Sequence, residues 1–221
     1  LPSRQYLPVL RQLLNKGALS AVVPVVSNGT ALMGAYFVSK FGPDALSAYS
    51  VGIRLEYLVV PVSFGIGLTL LTVVGMNYGA NQLERARKAV WLGALLSAGL
   101  VFSLTIGVVV WPESSLRFLG LSGETLEIGK SFLRIVGLLY FFYGFGLTLF
   151  FAAQALGRPV WGVVGSVMRF AIVGLGALLV LQPGGLHKVS TMFAVMAFGL
   201  IAYGGVMVLG LKKELAKVRT A

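Results

Sequence analysis

The sequence predicts an all-α membrane protein built as a bundle of six transmembrane helices. Five stretches of at least 23 residues carry no charged side chain, and a sixth is interrupted only by Arg169. A helix needs about 20 apolar residues to cross the hydrocarbon core of a bilayer. The 221-residue chain is also 57% hydrophobic and only 11% charged, which is more apolar surface than a water-soluble domain of this length can bury.

The elements follow one another with short connections. Residues 1–16 mix basic and apolar side chains and predict an amphipathic lead-in helix on the cytoplasmic surface. The bundle occupies residues 17–211, and the basic residues 212–221 form a cytoplasmic tail. The longest connection outside the membrane is 112–123. The six spans are predicted at 18–39, 45–77, 87–111, 125–155, 158–182 and 189–211.

The basic residues indicate how the bundle is oriented. With the N-terminus in the cytoplasm, 11 Lys and Arg side chains lie inside and 4 lie outside, which follows the positive-inside rule. We therefore expect a multi-pass protein of the cytoplasmic (inner) membrane with both termini inside. Because the net charge of +11 is distributed as a topology signal, it does not indicate nucleic-acid binding. The chain begins at Leu1 without an initiator Met, and we expect it to be part of a longer polypeptide.

The composition excludes several classes of function. There is no Cys and only one His, which excludes disulfides, thiolate catalysis and metal sites made of Cys or several His. Nucleotide-binding loops and hydrolase motifs are also missing from the sequence. We therefore expect a protein that is not an enzyme and has no cofactor.

Glu56 is the candidate for ion coupling. It lies about 12 residues into the second span, or roughly 18 Å along the helix, which is near the middle of the bilayer. A carboxylate at that depth is costly unless it faces a cavity, a partner or an ion path. It could bind a proton or Na⁺. The alternative is a structural ion pair with Arg54, Arg134 or Arg169. Of these, Arg54 and Arg169 are the candidate buried partners, although Arg54 points away from Glu56 on the same helix.

Other polar and aromatic side chains within the spans are candidates for a substrate cavity. Some share the helical face of Glu56, some belong to an aromatic-rich fourth span, and some are isolated polar groups. Aromatic rings can bind organic cations, but the same side chains can instead pack or bond between helices. The candidates are Asn28, Tyr36, Tyr49, Ser63, Tyr140, Tyr143 and Gln154.

Two segments resemble a known family, the multidrug and toxic compound extrusion (MATE) transporters. The second span ends in Val74-Gly75-Met76-Asn77-Tyr78-Gly79-Ala80 before a basic loop, which is similar to the family's VGQNxGA-like element. The end of the fourth span, AAQALGRPVWG at 152–162, is similar to its ALQGxGR-like turn. The element Arg54-Leu55-Glu56 resembles the DinF-like branch. The acids that the NorM-like branch places on spans one and four have no counterpart here, where Ser27 or Asn28 and Tyr143 stand.

The resemblance implies the C-terminal half of a twelve-helix transporter with a pseudo-two-fold axis, whose N-terminal six-helix half would be a partner. It also implies export of organic, often cationic, compounds in exchange for H⁺ or Na⁺ by alternating access. Membrane lipid is expected as a further partner, because it surrounds the bundle. A lipid-linked precursor flippase of the same superfold and a non-transporting membrane scaffold remain as alternatives. A cavity rich in bases would favour the flippase, because its cargo carries phosphates.

Overall fold

A computed structural model describes residues 7–182, 185 and 188–217, and it gives the side chains of all of these except 7 and 217. This part of the chain contains helices and no strand. The α-helices are α1 (Leu7–Ser39), α2 (Pro43–Gly52), α3 (Arg54–Gly79), α4 (Leu83–Val110), α5 (Pro112–Phe118), α6 (Gly123–Ile135), α7 (Tyr140–Ala155), α8 (Val160–Leu181) and α9 (Val189–Lys217), with a 3₁₀ turn at Gly137–Leu139 between α6 and α7.

Six helical segments of the described residues are long and apolar enough to cross a membrane. They are Pro8–Ser39, Pro43–Gly79, Leu83–Val110, Gly123–Ala155, Val160–Leu181 and Val189–Ala216. The predicted fold class, an all-α bundle of six transmembrane helices, is therefore confirmed.

Two spans that the sequence predicts as continuous helices are broken. The second span stops at Gly52 and resumes at Arg54, and the fourth changes from α6 to α7 through the 3₁₀ turn at Gly137–Leu139. Glycine weakens a helix because it loses more conformational freedom than other residues when it is ordered. Gly52 also lies directly beneath the ring of Phe132 of α6, where a Cβ atom would overlap that ring. The two breaks therefore lie on spans that pack against each other.

Helices also occupy three segments outside the predicted spans. Helix α1 runs through residues 16 and 17 without interruption, so the described part of the lead-in and the first span are one helix. The connection 112–123 contains α5, whose first residue is Pro112, a favourable residue for a helix start. Helix α9 continues past 211 to Lys217, so the first part of the predicted tail is helical. Residues 1–6 and 218–221 lie outside the described residues.

Helix α7 forms the centre of the bundle. It packs against α3, α4 and α9, while α8 packs against α1 and α9, and α2 against α6. The most apolar window of the fourth span is 67% buried, against 22–50% for the other spans. Buried hydroxyls of Ser63, Ser97 and Thr148 connect α3, α4 and α7, with Thr148 Oγ1 2.8 Å from Ser97 Oγ. This core fixes α3 against α7 and thereby positions Glu56.

Candidate functional site

Two buried charges within the described spans, Glu56 and Arg169, form an ion pair. Glu56 lies in the first turn of α3 and Arg169 lies in the middle of α8, and they are 9% and 7% exposed. Arg169 Nη2 is 3.4 Å from each carboxylate oxygen of Glu56. Charge-assisted hydrogen bonds of this kind are usually about 2.7–2.9 Å long. The ion pair is thus buried, and its two contacts are longer than usual.

The remaining donors of the Arg169 guanidinium have few partners. No group in the described part of the chain accepts a hydrogen bond from its Nε or Nη1. Its Cζ atom lies 4.7 Å from the ring centroid of Tyr143, which supplies a cation–π contact. Arg169 therefore depends on Glu56 and an aromatic face for compensation of its charge.

The two helix breaks meet beside this pair. A void of about 20 Å³ is lined by Ile53 from the first break and Val136 from the second, together with Glu56 and Arg169. Its size is about that of one water molecule. Tyr49 and Tyr140 also line this void.

A much larger cavity, of about 460 Å³, also has Glu56 in its wall. It lies between α1, α3 and α7, and Glu56 is the one charged residue of its described wall. The polar residues beside Glu56 in that wall are Ser20, Ser27, Asn28, Tyr57, Tyr143 and Gln154. The apolar remainder includes Phe64, Phe150 and Phe151, so an aromatic surface surrounds a single carboxylate.

The predicted cavity residues divide into three groups. Asn28, Tyr143 and Gln154 lie in the wall of the large cavity with Glu56. Tyr49 and Tyr140 face the small void instead, and the hydroxyl of Tyr49 donates to the carbonyl oxygen of Ala31 at 3.1 Å. Tyr36 and Ser63 line neither of these two walls.

The surroundings of Tyr36 and Ser63 explain why they are absent from these walls. Tyr36 is 58% exposed, contacts Phe37 edge-on and has Lys40 over its ring. Ser63 is fully buried between α3, α4 and α7, where its hydroxyl accepts from Ser97. Arg54 is exposed, so of the two predicted partners of Glu56 only Arg169 contacts it.

Sequence reasoning missed Tyr57, Phe64 and Ser20 as cavity residues. Tyr57 and Phe64 are separated by seven positions on α3, a spacing that places them on one face, but both are large and apolar enough to be taken for lipid-facing side chains. The sequence signal that could have identified Tyr57 is its neighbour Glu56, the carboxylate one residue before it. Within the described residues, no three His, Cys, Asp or Glu side chains lie together. Glu56 is the one acidic side chain in the described wall of the large cavity.

Comparison with known proteins agrees with this architecture. The MatE family model matches residues 20–180. The chain is 28% identical over 152 residues to a probable multidrug resistance protein NorM of Thermotoga maritima, covering 68% of this chain and 32% of that protein. It is 24% identical over 176 residues to a probable multidrug resistance protein YoeA of Bacillus subtilis, covering 78% and 38%. A FAD transporter of Shewanella oneidensis is 24% identical over 121 residues, covering 55% and 27%.

Solved structures show the same fold. The crystal structure of a MATE point mutant superposes with a TM-score of 0.88 at 13% identity, covering all of this chain and 49% of that one. The Vibrio cholerae MATE transporter VcmN in its bent form gives a TM-score of 0.80 at 21% identity and the same coverage. The chain thus spans about half the length of these transporters and less of the curated relatives' own length. With a family model matched over most of its length, the chain belongs to the MatE family, whose members are transporters and not enzymes.

Proposed function

We propose that this chain is one six-helix lobe of a secondary active exporter that moves organic cations out of the cell against entry of H⁺ or Na⁺. The observation that carries the proposal is the position of Glu56, a buried carboxylate in the wall of a large aromatic cavity with a single loose ion-pair contact. Two of the relatives reported above are named as probable multidrug resistance proteins. Alternating access between two lobes would carry the cavity from one side of the membrane to the other.

The proposed mechanism is competition for one carboxylate. Ionised Glu56 attracts an organic cation into the cavity, where the rings of Phe150 and Phe151 contact its apolar body. Binding of a proton or Na⁺ at Glu56 removes that attraction. It also leaves the positive charge of Arg169 without its partner, and this charge then repels the cation. Because substrate and coupling ion cannot share Glu56, the entry of one is linked to the release of the other.

The other half of the machine is proposed to be an N-terminal six-helix lobe. The chain covers 44–49% of the solved transporter chains, which leaves room for a second lobe of equal size. The assignment as the C-terminal lobe rests on the family-like segments at 74–80 and 152–162, and the assignment to the DinF-like branch rests on the element Arg54-Leu55-Glu56. The orientation, with both termini inside the cytoplasmic membrane, rests on the distribution of basic residues.

A lipid-linked precursor flippase is the second candidate. Its cargo carries phosphate and would need basic side chains in the cavity, as would the cargo of the relative named as a FAD transporter. The described wall of the large cavity contains one acid and no base, which favours cations. A non-transporting scaffold is the third candidate, and it assigns no role to Glu56.

The test is gradient-driven efflux of a fluorescent organic cation from vesicles that contain the complete protein. The variants are Glu56→Gln and the double variant Glu56→Gln with Arg169→Gln, in which no buried charge is left unpaired. Glu113→Gln, an exposed carboxylate outside the spans, is the matched control. We expect wild type and Glu113→Gln to respond to a pH or Na⁺ gradient, and both Glu56 variants to lose at least about tenfold in rate, the equivalent of one interaction of about 1.4 kcal/mol.

Each other outcome rejects a specific part of the proposal. Unchanged efflux in the folded double variant would remove Glu56 from the coupling mechanism. Translocation of a lipid without efflux of any cation would favour the flippase. The response to a pH gradient alone or a Na⁺ gradient alone identifies the coupling ion.

A further inference from the structure

A second cavity, separate from the one that contains Glu56, lies where α4 begins and α9 ends. Its volume is about 350 Å³, within the usual range of about 300–1,000 Å³ for ligand sites. Its walls are formed by Arg87 and Trp91 of α4 and by Lys212, Leu215 and Ala216 of α9. The lining thus contains two bases and no acid among the described residues. We propose that this crevice, here called the α4–α9 crevice, binds the phosphate of an anionic phospholipid.

The charge around the α4–α9 crevice supports an anionic ligand. The acid nearest in the sequence of α9, Glu214, is already engaged by Arg158 at 3.5 Å and by the indole nitrogen of Trp161 at 3.2 Å. Arg87 and Lys212 form no salt bridge in the part of the chain that the structure describes. In the orientation proposed above, the α4–α9 crevice lies on the cytoplasmic side. Basic pockets between transmembrane helices on that side are suited to lipid headgroups, because that leaflet holds anionic lipid.

The surface beside the α4–α9 crevice suits the acyl chains of the same lipid. Leu95 lies one turn beyond Trp91 on the same face of α4 and is 63% exposed. Leu209 lies one turn before Lys212 on α9 and is 69% exposed. Trp91 itself is amphipathic, as residues at the level of lipid headgroups are. A phosphate between Arg87 and Lys212 would place acyl chains along these leucines, whereas a free phosphate ion would leave them unused.

The test measures lipid binding to the complete purified transporter after its own lipid has been removed. Phosphatidylglycerol, phosphatidylcholine and inorganic phosphate are titrated separately, and bound ligand is counted by native mass spectrometry. The test variant is Arg87→Gln with Lys212→Gln. The matched control is Lys40→Gln with Arg134→Gln, which removes two exposed bases that do not line the crevice.

We expect phosphatidylglycerol to bind wild type and control with similar dissociation constants. The test variant should bind about 30-fold more weakly, since each base near the membrane surface contributes about 1 kcal/mol. Equal weakening in the control would show unspecific charge attraction and overturn the proposal. Equal binding of phosphatidylcholine would overturn the role of charge, and equal binding of inorganic phosphate would overturn the lipid as the source of the phosphate.

A second measurement needs no variant. Phosphatidylglycerol with a photoreactive group in one acyl chain is cross-linked to the wild-type protein, and the labelled peptides are mapped. Labelling around Leu95 and Leu209 is expected, and labelling confined to other surfaces would reject the α4–α9 crevice as the site. This measurement reports on the crevice even when the double variant fails to fold, and neither measurement depends on Glu56 or on transport.

Discussion

Arg169 of α8 contacts Glu56 of α3 through a single nitrogen, Nη2, which lies 3.4 Å from both carboxylate oxygens. Both side chains are buried, and within the described residues neither forms a salt bridge with any other charge. An uncompensated charge inside a membrane protein is costly, so each member of the pair is stable in the bundle mainly because the other is present. The same arrangement leaves Glu56 open to the large cavity on its other side.

This dependence predicts strongly non-additive effects on stability. Glu56→Gln and Arg169→Gln alone should each lower the free energy of unfolding by about 3–5 kcal/mol, because each leaves a buried charge unpaired. The double variant should lose less than the sum of the two single losses, since it contains no such charge. Unfolding of the complete protein in detergent measures all three. Arg134→Gln removes an exposed arginine and should stay within about 0.5 kcal/mol of wild type. Additive losses would contradict the ion pair.

The sequence located both members of this pair and gave Arg169 as one candidate partner of Glu56, but it did not decide between the candidates. Glu56 and Arg169 can be identified from the sequence because charged residues are rare within the spans, and this holds however the helices pack. Which partner Glu56 selects depends on how α3 and α8 face each other, and this is set by contacts among distant residues. The breaks at Gly52 and Gly137 were also missed, because the apolar composition on either side continues through them.

The predicted cavity face shows the limit of helical periodicity. Ser63 is predicted in the cavity because it shares the helical face of Glu56, and Gly52 and Gly67 lie on that same face and complete a small and polar stripe. The stripe is real, but it is a packing face: Gly52 lies beneath Phe132, Gly67 lies beneath Phe151, and Ser63 accepts a hydrogen bond from Ser97. Small residues in membrane helices allow close helix approach as readily as they line a cavity. Periodicity identifies a face but not what covers it.

The hydroxyl cluster in the core gives a second prediction. Thr148→Val removes a hydroxyl that bonds to Ser97 Oγ at 2.8 Å on a neighbouring helix. Interhelical hydrogen bonds in membrane proteins contribute about 0.6 kcal/mol on average and up to about 1.7, and a loss of this size is expected in the free energy of unfolding. The control is Thr69→Val, because the exposed Thr69 bonds within its own helix, to the carbonyl oxygen of Gly65. Equal losses in both variants would show that Thr148 does not connect α7 to α4.

The third prediction concerns stability at acid pH. Lys130 Nζ lies 3.0 Å from Glu113 and Arg117 Nη2 lies 2.8 Å from it. The hydrogen bond from Lys130, together with the charges of Lys130 and Arg117, lowers the pKa of Glu113 below its ordinary value. Since the folded pKa is the lower one, ionised Glu113 favours the folded state above about pH 4.3, the unfolded pKa. That contribution is lost as pH falls through the folded pKa.

Thermal unfolding between about pH 6 and pH 3 tests this contribution. Wild type should lose more stability over this range than Glu113→Gln, and Lys130→Gln should resemble Glu113→Gln because it removes the main cause of the shift. Lys188→Gln, which removes an exposed base on another connection, should behave as wild type. The differences are expected to be small, because exposed ion pairs are weak and are screened by salt. Identical pH profiles for wild type and Glu113→Gln would contradict the assignment.

The fourth prediction uses two glycines of α3 to separate packing from helix propensity. Gly67 is buried against the ring of Phe151, and an alanine Cβ there would overlap that ring, whereas Gly65 is exposed with no atom within 4 Å of such a Cβ. Gly67→Ala should therefore destabilise the protein by about 1–3 kcal/mol through overpacking. Gly65→Ala should be neutral or stabilise by up to about 1 kcal/mol, because alanine favours the helix. The two chemical changes are identical, so the difference in stability between the two variants measures the close approach of α3 to α7.

Phe151 also lines the large cavity, so Gly67→Ala should weaken binding of an organic cation while Gly65→Ala leaves it unchanged. Equal stability of the two variants would mean that the Phe151 ring moves aside at no cost and that α3 is not held by it.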